Sequence, residues 1–551
     1  MEKIWLNSYP AGVPEFINEN KNRSLSDMIE ATCTKFGRRN AFYCMGKALS
    51  YQELDQQAKS VASYLRRELR LAKGDRVAVM LPNVLQYPVF VFGVLHAGLV
   101  VVNVNPLYTA PELKHQLIDA DVKAILVLEN FAHVVQAVLP FTKIQKVIVT
   151  TMGEVMGFKG VAVDFVVRHI KKLVPKYNIE NKVSFSEIVA MGARYKYERL
   201  ELSHNDLAFL QYTGGTTGLS KGAMLSHGNI LANMEQALHW ISPVFSGKDY
   251  EIVITPLPLY HIFSLLANCL CFFSLGGKNV LIPNPRDIPG FVKELKKHKF
   301  TAFTGLNTLF NALLNHPDFA KLDFTKLKLT IGGGMAVQKS VADRWAKVTG
   351  SIVCHAYGLT ETSPAACINP VTLKEFNCAV GLPISSTLVS IRDDQGQEQP
   401  VGASGEVCIK GPQVMQGYWQ QPQETALVLQ DGWFKTGDIG VMDPQGFVSI
   451  VDRKKDMIIV SGFNVFPNEI EDVLSNHPGI LENAAVGVKD DRTGEAVKVF
   501  IVRKDAQLTK EEIVSFCRKS LTAYKVPKIV EFRESLPKSN VGKILRKELK
   551  N

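Results

Sequence analysis

The stretch Tyr212-Thr-Gly-Gly-Thr-Thr-Gly-Leu-Ser-Lys-Gly222 decides the reading of this 551-residue chain. It follows the apolar run Leu207–Tyr212 and precedes Ser226-His-Gly-Asn-Ile-Leu-Ala, which has the form of a capped helix start. Gly214, Gly215, Gly218 and Gly222 let the backbone bend and approach a ligand closely. The hydroxyls of Thr213, Thr216, Thr217 and Ser220, with the ammonium of Lys221, are donors suited to phosphate oxygens. So many donors between a strand and a helix point to a phosphate-binding loop rather than a plain turn. The P-loop NTPase pattern is excluded, because Lys221 is followed by Gly222 where Ser or Thr is required. Gly542-Lys543 fails the same pattern, with Pro537 at the first glycine position, and no strand-associated GxGxxG occurs.

Three further stretches extend this reading. Thr330-Ile-Gly-Gly-Gly-Met335 ends an apolar run, and Gly332, Gly333 and Gly334 allow a flat ligand to lie on bare backbone. Tyr357-Gly-Leu-Thr-Glu-Thr-Ser-Pro364 joins an aromatic ring, the Thr360 hydroxyl and the Glu361 carboxylate, an oxygen ligand of the kind Mg²⁺ prefers. Gly432-Trp-Phe-Lys-Thr-Gly-Asp438 ends on a carboxylate able to accept bonds from two ribose hydroxyls. Taken singly, acids in glycine-rich turns are usually local caps.

Apolar residues make up 46% and charged residues 21%, which excludes a disordered chain. Nine cysteines, odd in number and without a CxxC pair, exclude a disulfide framework and predict reduced thiols with no zinc site. The net charge of +10 favours phosphates or an anionic surface, and no nucleic-acid-binding motif accompanies it. Met1–Tyr9 lacks a secretory pattern. The apolar stretches Val89–Val104 and Ile262–Leu275 are too short to span a membrane and are expected in the core. Apolar runs at Arg76–Leu81, Ala124–Leu128, Leu207–Tyr212, Asn279–Ile282 and Lys326–Ile331 predict strands. Tyr51–Glu68 and Pro289–Lys297 predict helices among them, and the alternation implies layered α/β structure. After Val451 the run Asp452-Arg-Lys-Lys-Asp456 separates this part from about a hundred residues of mixed α and β character, with helices expected at Pro467–Leu474 and Thr509–Leu521. The expected division is 1–451, a hinge at 452–455, and 456–551.

In this order and spacing the motifs resemble those of the adenylate-forming superfamily of acyl-CoA synthetases, luciferases and peptide-synthetase adenylation domains. Pro256-Leu-Pro-Leu-Tyr-His-Ile-Phe263, Asp431–Ile439 with Val451–Phe463, Tyr524-Lys-Val-Pro-Lys and Leu536-Pro-Lys-Ser-Asn-Val-Gly-Lys543 narrow the likeness. With Trp5–Pro10 and Val102–Tyr108, it points to the bacterial long-chain fatty acid–CoA ligases. The resemblance implies a large N-terminal domain of α/β subdomains and a small mobile C-terminal α+β domain. It implies that Thr213, Gly214, Gly215, Thr216, Thr217, Gly218 and Lys221 close over the ATP phosphates, and that Gly332, Gly333, Gly334 and Tyr357 sandwich adenine. Thr360 would hold the α-phosphate, Glu361 with Thr213 the Mg²⁺, and Asp438 with Arg453 the ribose. Lys543 would bridge the carboxylate and the α-phosphate, and His261 would stand near the thiol path. Lys455 would be the pivot, and Gly462 with Phe463 would line the pantetheine channel of coenzyme A after a domain swing. Three positions depart from the usual pattern: Leu219-Ser220, His355-Ala356, and Leu265 where some relatives carry a gating tryptophan.

The implied activity is ATP-dependent ligation of a fatty acid to coenzyme A, giving acyl-CoA, AMP and pyrophosphate. Two alternatives stand beside it: a medium-chain or aryl acid ligase, and a nucleotide- or acyl-binding protein without turnover. The expected location is the cytoplasm. Peripheral attachment to the inner face of the membrane and a homodimer are left open. Phe165–Val174 bears on attachment: Val166, Ile170, Leu173 and Val174 share one helical face, and Arg168, Lys171 and Lys172 another. A surface-lying basic helix has this pattern, but a helix packing its apolar face on the core is the expected reading.

Overall fold

The computed structural model of the chain describes residues 2–18, 22–213, 220–245, 249–490, 492–539 and 542–550. Its first sheet has seven strands in the order 183–184, 146–150, 122–128, 76–80, 100–103, 207–212, 222–226, parallel except for the last pair. The second has nine strands, in the order 382–383, 365–368, 353–358, 329–332, 302–305, 252–255, 278–281, 40–44, 47–50. Its centre is parallel and its ends antiparallel. Parallel strands covered on both faces are apolar without alternation. That is why Arg76–Met80 and Val122–Leu128 were legible as runs of Val, Ile, Leu, Ala and Met.

The covering helices follow from capping and periodicity. Tyr51–Arg67 starts at Ser50, whose backbone N–H donates to the Glu53 carboxylate at 2.8 Å while its Oγ accepts from Glu53 N. Leu54, Ala58, Val61 and Leu65 form its buried stripe against helix Gln86–His96, which is buried all round. Gly93 permits this approach: a Cβ there would lie 2.6 Å from Val61. The stretch Val89–Val104 thus becomes the end of that helix and strand Val100–Asn103. Ile262–Leu275 becomes one helical turn and the wide, π-type turns Leu265–Phe272, with Leu265 fully buried.

The expected passage from strand through phosphate loop to helix is corrected. The loop closes a β-hairpin, with Tyr212 opposite Gly222 and the strand Gly222–Ser226 intervening before the helix His227–Ile241. Five residues of mixed size gave no period from which that short strand could be read. The anticipated cap is present, with Asn229 N donating to Ser226 Oγ at 3.1 Å.

A third, antiparallel sheet contains strands 388–392, 404–410, 433–442, 429–430 and 448–453. The turn 454–457 leads to the fourth, where strands 458–460, 463–465, 480–490, 494–503 and 529–533 carry the helices Pro467–Ser475 and Lys510–Arg518. Ile458, Val465, Ile470, Leu474, Val499 and Ile513 form a core of this part's own. A large layered α/β part and a small α+β part make up the chain. No described helix is long and apolar enough to cross a membrane. The segment 158–170 departs from the expectation of a core-packed helix: Phe158, Val161, Phe165 and Ile170 are exposed and only Val163, Val166 and Val167 are half-buried, with Asp164 and Arg168 bonded to the body of the protein.

Candidate active site

The two parts enclose a cleft of about 2320 Å³. Thr213, Lys221, Gly333, Gly334, Tyr357, Thr360, Glu361, His261, Asp438, Arg453, Lys455 and Lys543 all line it. Gly214, Gly215, Thr216, Thr217 and Gly218 lie outside the described residues. Gly332 stands behind the wall, its α-carbon hemmed in by Val353 and Val337. Gly462 is exposed in the turn between two strands of the small part, outside the cleft, beside Phe463, which stacks on Tyr524 at 4.8 Å.

One wall is the turn after strand Val353–Gly358. A Cβ on Gly358 would fall 1.7 Å from the Pro364 carbonyl oxygen, so only glycine fits where the chain doubles back. The single helical turn Thr360–Thr362 that follows presents Thr360 half-buried and Glu361 buried. Tyr418 donates its hydroxyl to Glu361 Oε1 at 2.7 Å. Burial holds the Glu361 carboxyl above the ordinary carboxylate range, and among the described residues it has no ion pair. The face of Tyr418 lies 5.2 Å from the Lys221 ammonium, which is paired with Glu424. Thr213 N donates to Lys221 O at 3.0 Å, closing the hairpin below the loop.

The opposite wall carries an aromatic and an acid. Tyr357 donates its hydroxyl to Asp438 Oδ2 at 2.7 Å, and Arg453 Nε lies 3.2 Å from Asp438 Oδ1. Asp438 and Arg453 face each other across antiparallel strands, which sets that pair. Burial, then the Asp438 charge, raises the Tyr357 phenol well above its usual value. A Cβ on Gly333 would lie 3.1 Å from the Ala356 carbonyl oxygen and 3.4 Å from the Phe263 ring. Bare backbone therefore keeps open a slot beside Tyr357. His355, one of the unusual positions, is buried, pushed down to about 4 by burial, and stacked on Phe376 at 6.0 Å. Leu265 does not line the cleft.

The small part contributes Lys543. Its loop is held by Ser539, which donates N–H to Lys543 O at 2.7 Å and accepts from Lys543 N at 3.1 Å through Oγ. Thr308 of the large part donates to Gly542 O at 3.3 Å, docking the loop against the cleft. Burial, then the Arg453 cation, pushes the Lys543 ammonium down to about 8. Among the described residues that ammonium makes no hydrogen bond or ion pair. His261 is pushed down to about 4 by burial, then by the Lys543 charge, and is neutral at pH 7. Its Nδ1 accepts from Phe263 N at 3.3 Å, which leaves the proton on Nε2 as a donor.

Sequence reading missed Tyr418, Glu424 and Arg546. Arg546 pairs with Asp452 Oδ1 at 3.0 Å and Glu471 Oε2 at 2.7 Å, bracing the Lys543 loop against the end of the third sheet. Its place three residues after Lys543 was the available signal; Glu424 offered none. Apolar walls complete the cleft: Ala237 and Ile241 from one helix, and Leu266, Ala267, Cys271 and Phe272 from the π-type turns. The arrangement can hold a planar base, a polyphosphate with a cation, and a carboxylate with an apolar tail.

Residues 29–419 match the AMP-binding enzyme family and residues 469–543 the AMP-binding enzyme C-terminal domain. The chain is 55% identical over 553 residues to a long-chain-fatty-acid–CoA ligase of Escherichia coli, covering 100% of this chain and 98% of that one. It resembles ATP-bound MatB from Rhodopseudomonas palustris at a TM-score of 0.82 and 27% identity, over 95% and 98% of the two chains. The anthranilate CoA ligase AuaEII, in complex with anthranoyl-AMP, shares the fold at a TM-score of 0.84 and 22% identity, over 98% and 97%. With both its large part and its small part matched in order, the chain belongs to the AMP-binding enzyme family.

Proposed function

We propose that the protein ligates a long-chain fatty acid to coenzyme A, using ATP and passing through an acyl adenylate. One observation carries this reading: a half-buried lysine from the small part enters the cleft with no counter-ion among the described residues, opposite the Asp438–Arg453 pair and neutral His261. A cation left without a protein partner is suited to an anion from outside. The likeness to long-chain-fatty-acid–CoA ligases, at 55% identity over the whole chain, supports the substrate assignment.

The chemistry follows from charge. A carboxylate oxygen attacks the α-phosphorus of ATP, the bond from that phosphorus to the bridging oxygen breaks, and pyrophosphate leaves. Both reactants are anions, so fixed donors must offset their repulsion. Lys543 lies between the two and draws both oxygens toward its ammonium. Thr360 donates its hydroxyl to the α-phosphate, and Lys221 exchanges Glu424 for the β- and γ-phosphates with the loop 213–221. Tyr357 and the Gly333–Gly334 edge hold adenine, and Asp438 with Arg453 holds the ribose.

A buried carboxylate with one oxygen tethered to Tyr418 fits Mg²⁺, which is held by one or two carboxylates and substrate phosphates. Glu361, with the Thr213 hydroxyl, would hold it, and when bound it supplies positive charge to the phosphates. In the second half-reaction the thiol sulfur of coenzyme A bonds to the acyl carbon. The acyl–oxygen bond to AMP breaks, and the thiol proton leaves to solvent. His261 Nε2–H steadies the acyl oxygen in this reading, consistent with a neutral imidazole whose Nδ1 accepts from Phe263 N. Lys543 has no part in this step. We assign residues 452–455, the end of strand 448–453 and the start of the turn after it, with Lys455 as pivot, to a swing that withdraws Lys543 and brings Gly462 and Phe463 to the thiol path.

Long-chain acids partition into bilayers, and we extend the reading to action at a membrane surface. Release of pyrophosphate, measured across acids of graded chain length with and without coenzyme A, tests the assignment. Release that peaks with long-chain acids supports it. Release that peaks with aryl or medium-chain acids moves the substrate, and none at all leaves a binding protein.

A further inference from the structure

The segment 157–176 turns its largest apolar side chains away from the protein, while Val163, Val166, Val167 and Val174 are half-buried. Helix Phe158–Phe165 continues in π-type turns over Val166–Ile170. Phe158 is 100% exposed, Val161 71%, Ile170 65%, Phe165 57% and Leu173 53%. Positions 158, 161 and 165 are three and four apart and share a helical face. Polar bonds hold the other face. Asp164 accepts from Thr151 Oγ1 at 2.6 Å and from Gly153 N at 2.8 Å. Arg168 grips the buried Glu129 carboxylate at 2.7 and 2.9 Å. Gly160 packs so tightly that a Cβ there would fall 1.9 Å from the Gly153 carbonyl oxygen. The side toward the protein combines the half-buried Val163, Val166 and Val167 with the anchored Asp164, and the largest apolar side chains are left on the outer side.

Charge identifies what covers it. Lys159, Lys171, Lys172 and Lys176 flank the stripe, are exposed, and have no ion pair among the described residues. The only acid in the segment, Asp164, is committed inward. A second copy of the same stripe would bring like charges together across a two-fold interface. Apolar side chains rimmed by free lysines match the headgroup boundary of an anionic bilayer. We propose that residues 157–176 are an interfacial anchor, with Phe158, Val161, Phe165, Ile170 and Leu173 below the headgroups of an anionic membrane and the lysines at phosphate level. This rests on the membrane-surface reading above and assigns it a site. The anchor would hold the enzyme where a sparingly soluble acid is concentrated.

The test is flotation of the full chain with vesicles of phosphatidylcholine alone and of phosphatidylcholine with phosphatidylglycerol. The wild type is expected to float with the anionic vesicles and less with the neutral ones. Phe158→Ser with Phe165→Ser is expected to lower partitioning by about tenfold or more, as two exposed rings lose their burial. Lys171→Glu with Lys172→Glu is expected to lower it about tenfold, with the difference vanishing at high salt. All four side chains are exposed, so thermal midpoints should not change. If the wild type floats with neither vesicle, the membrane reading fails and the anchor with it. If wild type and variants float equally, the reading survives and the anchor is refuted. A wild-type dimer that the phenylalanine variant abolishes, without an effect of lipid, would assign the stripe to self-association and overturn the proposal.

Discussion

Lys543→Met should make the protein more stable and its first half-reaction far slower. The ordinary lysine value of 10.5 falls to about 8 in the closed cleft. Since the folded value is depressed, the folded state binds fewer protons than the unfolded chain between about pH 8 and 10.5. Below pH 8 the full cost of burying the cation is present, and it fades as pH rises through that window. At 1.36 kcal/mol per unit the ceiling is about 3 kcal/mol, or roughly half that after allowing for water that reaches the ammonium. Methionine keeps the length and removes the charge, so at pH 7 the thermal midpoint should rise by about 1–3 °C. The gap to wild type should close toward pH 10. Acid-dependent pyrophosphate release should fall by about 10²–10³-fold, the usual cost of one lost transition-state donor. Differential scanning fluorimetry at pH 7 and pH 10, with a release assay on the same samples, reads both. A variant no more stable than wild type at pH 7, or a gap independent of pH, would refute the account of the buried cation.

Other expectations concern the surrounding residues. Glu361→Ala should raise the Mg²⁺ needed for half-maximal adenylate formation. Tyr418→Phe, which loses the hydroxyl on Glu361, should weaken the metal by about tenfold, as outer-sphere losses do; an unchanged metal titration in both would count against the carboxylate. Glu424→Gln should lower the KM for ATP by up to about threefold, because a half-exposed ion pair worth less than 1 kcal/mol no longer competes for Lys221; a higher KM would mean that Glu424 positions the lysine instead. Lys455→Pro should spare pyrophosphate release and slow thioester formation from supplied acyl adenylate, since proline fixes the φ angle of the pivot; an unimpaired second step would dismiss the pivot.

Much of the site was legible because it is built from short, contiguous motifs. Gly358, Thr360 and Glu361 occupy a single turn, and Asp438 and Arg453 meet across neighbouring strands. The parallel strands were legible because burial on both faces leaves unbroken apolar runs. Long-range pairs were not. Lys221 and Glu424 are 203 positions apart, and Tyr418 and Glu361 are 57 apart. Lys221 and Glu361 stand in legible motifs, but nothing local marks Glu424 or Tyr418 as their partners. The helix at Phe158 shows a further limit: periodicity reveals that a helix has two faces, but only the partners of Asp164 and Arg168 decide which one turns inward. The π-type turns at Leu265–Phe272 also escaped, since an apolar run fits several backbone paths equally well.

The division of labour within the cleft is tested most directly by giving Lys543→Ala preformed oleoyl adenylate and coenzyme A, and separately oleate with ATP. The account predicts near wild-type oleoyl-CoA formation from the adenylate and almost no pyrophosphate from oleate. Equal loss of both reactions, or unimpaired pyrophosphate release, would contradict it.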